Sequence, residues 1–396
     1  MSVSAGPTRD IFDTNGRALR HEGLRRANEK TVLTVVGFNA SGVSNAEIAR
    51  MSGLAPQTVS AILTKLEKEG LVERGAALRG RRGQPATPIL LNKDGGYAIG
   101  VELGWRHADV MLLNLHGTVL GHRHVDYDYP DAGGIFDFIG QCVEDLKALV
   151  PQDHLDRLLD LGLAMPAGLA DGIRRIGAPQ EQVMQWQGLD AQAELATRTG
   201  LEVTLINDGN AACWAELIAL TPPRPASIIY FLVSHFIGAG VIGDGALWSG
   251  HNGNAADMGM MLVQLDGRGP QQAYHIASLW ALGQRLAEAG KPRDIAALAH
   301  WDWDEIESEV DSWIVDSAKV LARVAFNTST VVDAPLVVID TVLGPAITER
   351  LVTRFRSELA ALPVLGIAPP MVATGRHGAV APAIGAAELP LFNRYF

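Results

Sequence analysis

Residues 44–92 read SNAEIARMSGLAPQTVSAILTKLEKEGLVERGAALRGRRGQPATPILLN, and they contain two short segments with apolar residues at helical spacing. Ser44 can cap the first segment, because a serine oxygen accepts from the exposed amides of a first helical turn. Gly53 interrupts the helical pattern. Pro56 can begin the second segment, since its fixed φ suits a first helical turn. The stretch therefore predicts a helix-turn-helix.

The second of these helices has two different faces. Its apolar residues, from Val59 to Leu66, recur at a spacing that buries one stripe. The opposite face carries mostly small or polar side chains, which can approach base edges in a major groove. These predicted DNA-contacting residues are Gln57, Thr58, Ser60, Ala61, Thr64 and Lys65.

A basic loop follows between two short predicted strands, residues 71–72 and 89–91. It contains no acid after Glu73, so its arginines are free to meet phosphates or a narrow minor groove. The loop residues that we predict to contact DNA are Arg79, Arg81, Arg82 and Gln84. Helix-turn-helix and loop together predict a winged helix that binds double-stranded DNA.

The charge distribution agrees with this prediction. Residues 1–92 hold 13 Lys and Arg against 8 Asp and Glu, whereas residues 93–396 hold 20 against 36. A basic module on an acidic remainder suggests that only the first part contacts a polyanion. The two cysteines form no ligand or disulfide pattern, and the polar start lacks the apolar core of a signal peptide. We therefore expect a cytoplasmic protein.

A chain of 396 residues needs more than one domain. After residue 92 the pattern changes to strands alternating with helices, which is α/β architecture. Predicted strands are 97–103, 108–115, 119–125, 159–164, 203–206, 228–233 and 337–339, and predicted helices are 135–150, 191–199, 211–220 and 311–329. We predict a flexible arm at 1–25, the winged helix at 26–92, and a two-lobed ribonuclease H-like (actin or sugar kinase) fold at 93–396.

Four motifs occur in one order: LGLAMPAGLADG (161–172), INDGNAACWAE (206–216), IGAGVIGDGALWSGHNGNAADMGMM (237–261) and IGAAELPLF (384–392). In this order they resemble the ROK family of bacterial sugar repressors and sugar kinases. The winged helix resembles the repressors, such as those that answer N-acetylglucosamine or xylose. The resemblance implies a regulator, most simply a repressor of carbohydrate uptake or catabolism genes. It also implies a homodimer or tetramer on a near-palindromic operator, tuned by a sugar-like ligand.

The same resemblance places the ligand site. Asn207 and Asp208 follow a predicted strand, and in family kinases the matching Asp takes the proton from the sugar hydroxyl. The alternative is that this Asn-Asp-Gly only caps the next helix. A glycine run from Gly238 to Gly253 would let backbone approach a ligand closely. The full set of predicted ligand-binding residues is Asn207, Asp208, Asn252, Asp257, Met260 and Gln272, with His251 or His275 as substitutes for a lost donor.

Several positions depart from the family pattern. The phosphate-holding turn of the kinases is replaced by residues 102–106, with a bulky Trp105, and the adenine-side Gly-Gly by Asp340-Thr341. Met260 stands where the family has a zinc-binding histidine, and residues 261–274 contain no cysteine. We therefore expect no catalytic residues, no metal and no cofactor. Two alternatives remain: a vestigial cleft with control by a protein partner, and an active sugar kinase.

Overall fold

The computed structural model describes residues 21–76, 87–265, 267, 269–363 and 368–396. The chain forms two compact units, Met1–Gly95 with Tyr395–Phe396, and Gly96–Arg394. The boundary expected from the sequence, between residues 92 and 93, lies three residues before the one in the structure. Along the described parts of the chain, no helix combines the length and apolar content needed to cross a bilayer.

The first unit is a three-helix winged fold. It contains α1 (His21–Gly37), α2 (Asn45–Ser52) and α3 (Pro56–Lys68), followed by the antiparallel strands β1 (Val72–Arg74) and β2 (Ile89–Leu91). Ser44 caps α2 as predicted: its Oγ accepts from the Glu47 amide at 3.3 Å, and the Glu47 carboxylate accepts from the Ser44 amide at 2.8 Å. Gly53 ends α2 with a positive φ of 69°, and α3 begins at Pro56.

Helix α1 was not anticipated from the sequence. Its residues Val32, Leu33 and Val36 are buried in the first unit, and this apolar stripe gives the helix a face to pack. Residues 21–25, which the sequence assigned to a flexible arm, belong to this helix, so that part of the arm prediction is corrected. Residues 1–20 lie outside the described part. The Phe396 ring lies 5.8 Å from that of Phe38, within the same unit.

The second unit contains two five-stranded sheets and a small ribbon, β11 (Leu262–Val263) with β12 (Gln271–Gln272). The first sheet comprises β3 (Tyr97–Leu103), β4 (His107–Asn114), β5 (Val119–Asp126), β6 (Leu158–Met165) and β7 (Val203–Asn207). The second comprises β8 (Ile228–Val233), β9 (Ile237–Gly243), β10 (Ala246–Leu247), β13 (Leu336–Thr341) and β14 (Met371–Thr374). The strand orders are β5-β4-β3-β6-β7 and β10-β9-β8-β13-β14.

Both sheets repeat one pattern, an antiparallel three-strand meander followed by two parallel strands. The connecting helices are α4 (Ile135–Lys147), α5 (Leu169–Arg175), α6 (Gln180–Gly188), α7 (Ala191–Thr199), α8 (Asp208–Ala219), α9 (Tyr274–Ala277), α10 (Leu279–Glu288), α11 (Glu307–Val332), α12 (Pro345–Ala360) and α13 (Ala381–Tyr395). The repeated meander and parallel pair confirm the predicted two-lobed α/β fold.

Three layers of helices cover the two sheets. One apolar cluster joins the first sheet to α4–α7, and another joins the second sheet to α9–α12. Between the sheets lie α8 and α13, whose alanines pack on the first sheet while Trp214 and Leu217 of α8 pack on the second. The two central helices therefore connect the lobes.

Glycines permit this central packing. A Cβ on Gly100 or Gly162, in β3 and β6, would overlap the carbonyl oxygens of Ala383 and Ala386 in α13. A Cβ on Gly385, in α13, would overlap the carbonyl oxygen of Ala211 in α8. Helix α13 was not predicted, although its motif at 384–392 was noted. Its backbone contacts explain why that motif is rich in glycine and alanine.

We expect Gly385→Ala to destabilise the second unit by about 2 kcal/mol or more, because the new methyl group overlaps backbone that has no rotamer to adopt. Gly188→Ala is the control, since a Cβ there meets no atom within 4 Å. Thermal and denaturant unfolding of both variants measures the difference. Equal stability of Gly385→Ala and the wild type would contradict the close packing.

Candidate functional site

Helix α3 exposes the face that the sequence predicted to read DNA. Gln57, Thr58, Ser60, Ala61 and Thr64 are all exposed, whereas the apolar residues of the helix are buried. The Ser60 hydroxyl accepts from the Asn45 amide group at 2.8 Å, and Thr64 donates to the Ser60 carbonyl at 2.9 Å. Most of this face is thus accessible to a groove of DNA.

Lys65 differs from this expectation. Its Nζ lies 2.6 Å from Glu29 of α1 and 3.6 Å from Glu69, so its charge is paired within the winged fold. Glu29 is not seen in the sequence pattern of α3 because it lies 36 residues away. Arg74 is also paired, with Glu67 at 2.6 Å. The other predicted contacts, Arg79, Arg81, Arg82 and Gln84, lie outside the described residues.

A cavity of about 280 Å³ opens in the second unit between the two sheets. It is bordered by the turn after β3, by the segment from Pro166 to Arg175, by the start of α8, by the β8–β9 turn and by the Met258–Met260 turn. Four predicted ligand residues line it: Asn207, Asp208, Asp257 and Met260. Its volume is at the lower limit for a small-molecule site.

Asn207 and Asp208 take different roles at the start of α8. Asn207 caps the helix, because its side-chain oxygen accepts from the Asn210 amide at 3.2 Å. Helix α8 therefore begins at Asp208, three residues before its predicted start. The Asp208 carboxylate accepts from the Gly209 amide at 2.8 Å and also borders the cavity. Asn207 therefore caps the helix, as the alternative interpretation of the Asn-Asp-Gly motif predicted, whereas Asp208 borders the cavity.

The environment of Asp208 disfavours its charge. Burial, the nearby charge of Glu102 and that of Asp257 raise the pKa of Asp208 to about 7. Burial also raises the pKa of Asp257 above its ordinary value. A carboxyl group near its pKa at neutral pH can either accept or donate a hydrogen bond. Both roles suit a hydroxyl-rich ligand.

An aromatic wall completes the cavity. The Trp105 and Phe236 rings are 5.2 Å apart and those of Phe236 and Tyr274 are 5.4 Å apart, each in an edge-to-face arrangement. Arg175 donates to the Tyr274 hydroxyl, and its guanidinium carbon lies 5.4 Å from the centre of that ring. No local sequence pattern points to Arg175, Phe236 or Tyr274, because only the packing of distant segments brings them together.

Other predicted ligand residues lie elsewhere. Asn252 lines a neighbouring open cavity, which Asn207 also borders. Gln272 is half-buried in the ribbon, where its strand pairs with Leu262, and it lines none of the described cavities. His251 and His275 are exposed and do not line the 280 Å³ cavity either. The roles of all four in ligand binding stay predictions.

The glycine run acts mainly in packing. Gly238 lines the cavity, but a Cβ on Gly240 would collide with Cys213 of α8. A Cβ on Gly209, in the Asn-Asp-Gly motif itself, would collide with the backbone of Ala239 in β9. Because Gly209 and Gly240 have no side chains, the start of α8 can lie directly against β9. This packing places Asp208 at the cavity.

The sequence predicted departures from the kinase pattern at Trp105 and at Asp340, and both side chains are packed within the second unit. Trp105 borders the cavity and packs on Gly172, where a Cβ would overlap its ring. Asp340 is buried, and its carboxylate accepts from the amides of Gly378 and Thr341, each at 2.8 Å.

The fold and the site together define a class of protein: a winged DNA-binding fold joined to a two-lobed sugar kinase-like unit. The family model described as ROK family matches residues 98–391, and one described as MarR family matches residues 22–83. The chain belongs to the ROK family.

Known proteins similar to this chain include regulators. It is 28% identical over 289 residues to a xylose repressor of Bacillus spizizenii, covering 70% of this chain and 73% of that protein. It is 26% identical over 229 residues to the DNA-binding transcriptional dual regulator NagC of Escherichia coli, covering 56% and 54%. A crystal structure of a ROK family transcriptional regulator, a homologue of the E. coli MLC protein, shares the fold with a TM-score of 0.67 at 17% identity, covering 94% and 98%.

Replacing Asp208 by Asn should stabilise the ligand-free protein in a pH-dependent way. The folded-state pKa, about 7, lies above the ordinary value of 3.8, so the stability that the protonated carboxyl provides is lost as the pH rises through this window. Asparagine does not ionise. The melting temperature of Asp208→Asn should therefore exceed that of the wild type by a margin that widens from pH 5 to pH 7 and then levels off.

Thermal unfolding between pH 5 and pH 8 measures this margin. Asp160→Asn, at an exposed position outside the cavity, is the matched control and should show no widening. A margin for Asp208→Asn that shrinks as the pH rises would contradict the assignment.

Proposed function

We propose that the protein is a transcriptional repressor of carbohydrate uptake or catabolism genes, controlled by a small sugar-like ligand. One observation carries the proposal: a single chain joins a winged helix with an open α3 face to a cavity lined by Asn207, Asp208 and Asp257. The relatives named as repressors or transcriptional regulators support it. Such a protein acts in the cytoplasm, where the operator DNA lies.

The assembly is part of the proposal. Most soluble oligomers are symmetric, and a homodimer or tetramer of winged helices would read a near-palindromic operator. A ligand held between the two lobes would favour one lobe arrangement over the other and so bias DNA binding, which is a coupling free energy between two sites. Gln57 and Ser60 would contribute to sequence preference through base edges.

We also propose that the protein does not phosphorylate its ligand. Trp105 lines the cavity at the segment where the family resemblance predicts the phosphate-holding turn of the kinases, and the Asp340 carboxylate accepts from the amides of Gly378 and Thr341. A cavity of about 280 Å³ suits a monosaccharide-sized ligand better than a sugar together with a nucleotide. The contacts of Asp208 would then serve binding alone.

The basic loop provides the first test of DNA binding. We expect replacement of Arg79, Arg81 and Arg82 by Ala to weaken binding to all DNA sequences, because each lost phosphate contact lowers the salt-dependence slope by about 0.9. Titrations at several salt concentrations against the protein's own upstream DNA measure this slope.

The control for that test removes the same charge from the second unit, by replacing Arg350, Arg354 and Arg356 of α12 with Ala. It should leave the salt slope unchanged. An unchanged affinity and slope in the loop variant would remove the loop from the DNA interface.

The second test concerns the ligand. We expect Asp208→Ala to abolish release of DNA by the inducing sugar while leaving DNA binding intact, because Asp208 lies in the second unit. A panel of sugars and polyols, screened by thermal shift, identifies the inducer, and Asp160→Ala is the control. A normal response in Asp208→Ala would favour the alternative, a vestigial cleft with control by a protein partner.

The third test concerns catalysis. Purified protein supplied with ATP, Mg²⁺ and each sugar of the same panel should release no more ADP than a sample lacking sugar. The physical reason for this expectation is the bulk of the Trp105 ring, which lines the cavity and would exclude phosphate groups. Sugar-dependent ADP release above this background, absent from Asp208→Ala, would identify the chain as an active kinase.

A further inference from the structure

Histidines and carboxylates collect on one face of the first sheet, at its β5 edge. Side chains alternate along a strand, so His122 and His124 of β5 point to the same face. Asp109 of β4 pairs in register with His124 on one side and with Glu102 of β3 on the other. The four side chains therefore share one surface, close to where α13 covers Met111.

Their geometry is compact. The His122 Nε2 lies 2.5 Å and the His124 Nδ1 2.8 Å from the same Asp109 oxygen, Oδ1. The three potential ligand atoms all lie within 4.8 Å of one another. The Asp109 side chain is 1% exposed, whereas those of His122 and His124 are 37% and 45% exposed. The Asp109 carboxylate thus lies buried at the bottom of the cluster, and the imidazoles of His122 and His124 line its exposed opening.

Two further side chains, His107 and Glu102, lie behind the mouth of the cluster. The His107 Nε2 lies 3.5 Å from the other Asp109 oxygen, Oδ2, and 3.3 Å from Glu102 Oε1. Glu102 is 5% exposed, and its second oxygen has no hydrogen-bond partner among the described residues. A side-chain oxygen buried this deeply is uncommon without a hydrogen-bond partner.

We propose that Asp109, His122 and His124 bind a divalent transition-metal ion, with His107 3.5 Å from the Asp109 carboxylate on its buried side. Two imidazoles and one carboxylate are a ligand set for Zn²⁺ and similar ions, whereas Mg²⁺ and Ca²⁺ prefer oxygen ligands alone. Three protein ligands leave the remaining coordination positions to water.

The observed distances are compatible with this ion. Ligands about 2.0–2.2 Å from a tetrahedral zinc lie roughly 3.3 Å apart, so both imidazoles need to retreat by less than about 1 Å. Their half-exposed positions on an edge strand allow this movement. Once bound, the ion would link β5 to β4.

The proposal revises the sequence-based expectation that the protein binds no metal. That expectation rested on the missing histidine at Met260 and on the absence of cysteine from residues 261–274. The cluster uses other residues. The motif His122-Arg123-His124 on a predicted strand was a signal for it, because alternate strand residues share a face.

Zinc alone serves as the probe in the test. The full-length protein, stripped with a chelator, is titrated with Zn²⁺ by calorimetry, and we expect one ion per chain. The double variant His122→Ala/His124→Ala should bind at least about 100-fold more weakly, since loss of even one residue that only supports a metal ligand costs about 10–100-fold. Zinc should raise the melting temperature of the wild type and not that of the double variant.

His300→Ala is the matched control, because His300 is exposed and lies outside the cluster; it should bind zinc like the wild type. Asp109→Asn, which keeps the size of the side chain, should also lose zinc, and circular dichroism checks its folding. Excess Mg²⁺ should not displace the zinc. Equal zinc binding by the wild type and the double variant, or no saturable binding by the wild type, would overturn the proposal and leave a hydrogen-bonded cluster only.

Discussion

The close approach of α13 to the first sheet and to α8 is the constraint on which the second unit depends. Gly100 and Gly162 have no side chains, so the backbone of α13 can lie directly against β3 and β6. Gly385 lets α13 lie equally close to the backbone of α8. Side chains of ordinary size at these positions would separate the central helices from the sheet. Because α8 also packs on the second sheet, the same contacts fix the position of one lobe against the other.

That packing also sets the chemistry of the cavity. Gly209 lets the start of α8 contact the backbone of β9, so Asp208 is carried to the inner border of the cleft. Its burial there opposes its ionisation, and the charge of Glu102 adds to the effect. The burial of Asp208 therefore lowers the stability of the ligand-free protein. A polyhydroxylated ligand would offset part of that cost through hydrogen bonds to the carboxyl group.

The second unit has the sugar kinase-like architecture of the ROK family. Trp105 lies against Gly172, and Asp340 bonds to its own chain. A site that binds without turning over its ligand can use the whole binding free energy to select one conformation. In the proposed repressor this free energy acts on the winged fold. The Asp109 cluster adds a separate place at which a cation would stiffen the edge of the first sheet.

Local patterns in the sequence determined the elements and their faces. The Ser44 cap, the exposed face of α3, and the strands Tyr97–Leu103 and Ile228–Val233 were all predictable, because capping and side-chain periodicity act over only a few residues. The tertiary structure alone decided the pairing of Arg175 with Tyr274, 99 residues away, and the ion pair of Lys65 with Glu29. It also brought Asp109 to two histidines. Such contacts depend on how distant elements pack, and no local preference along the chain encodes that arrangement.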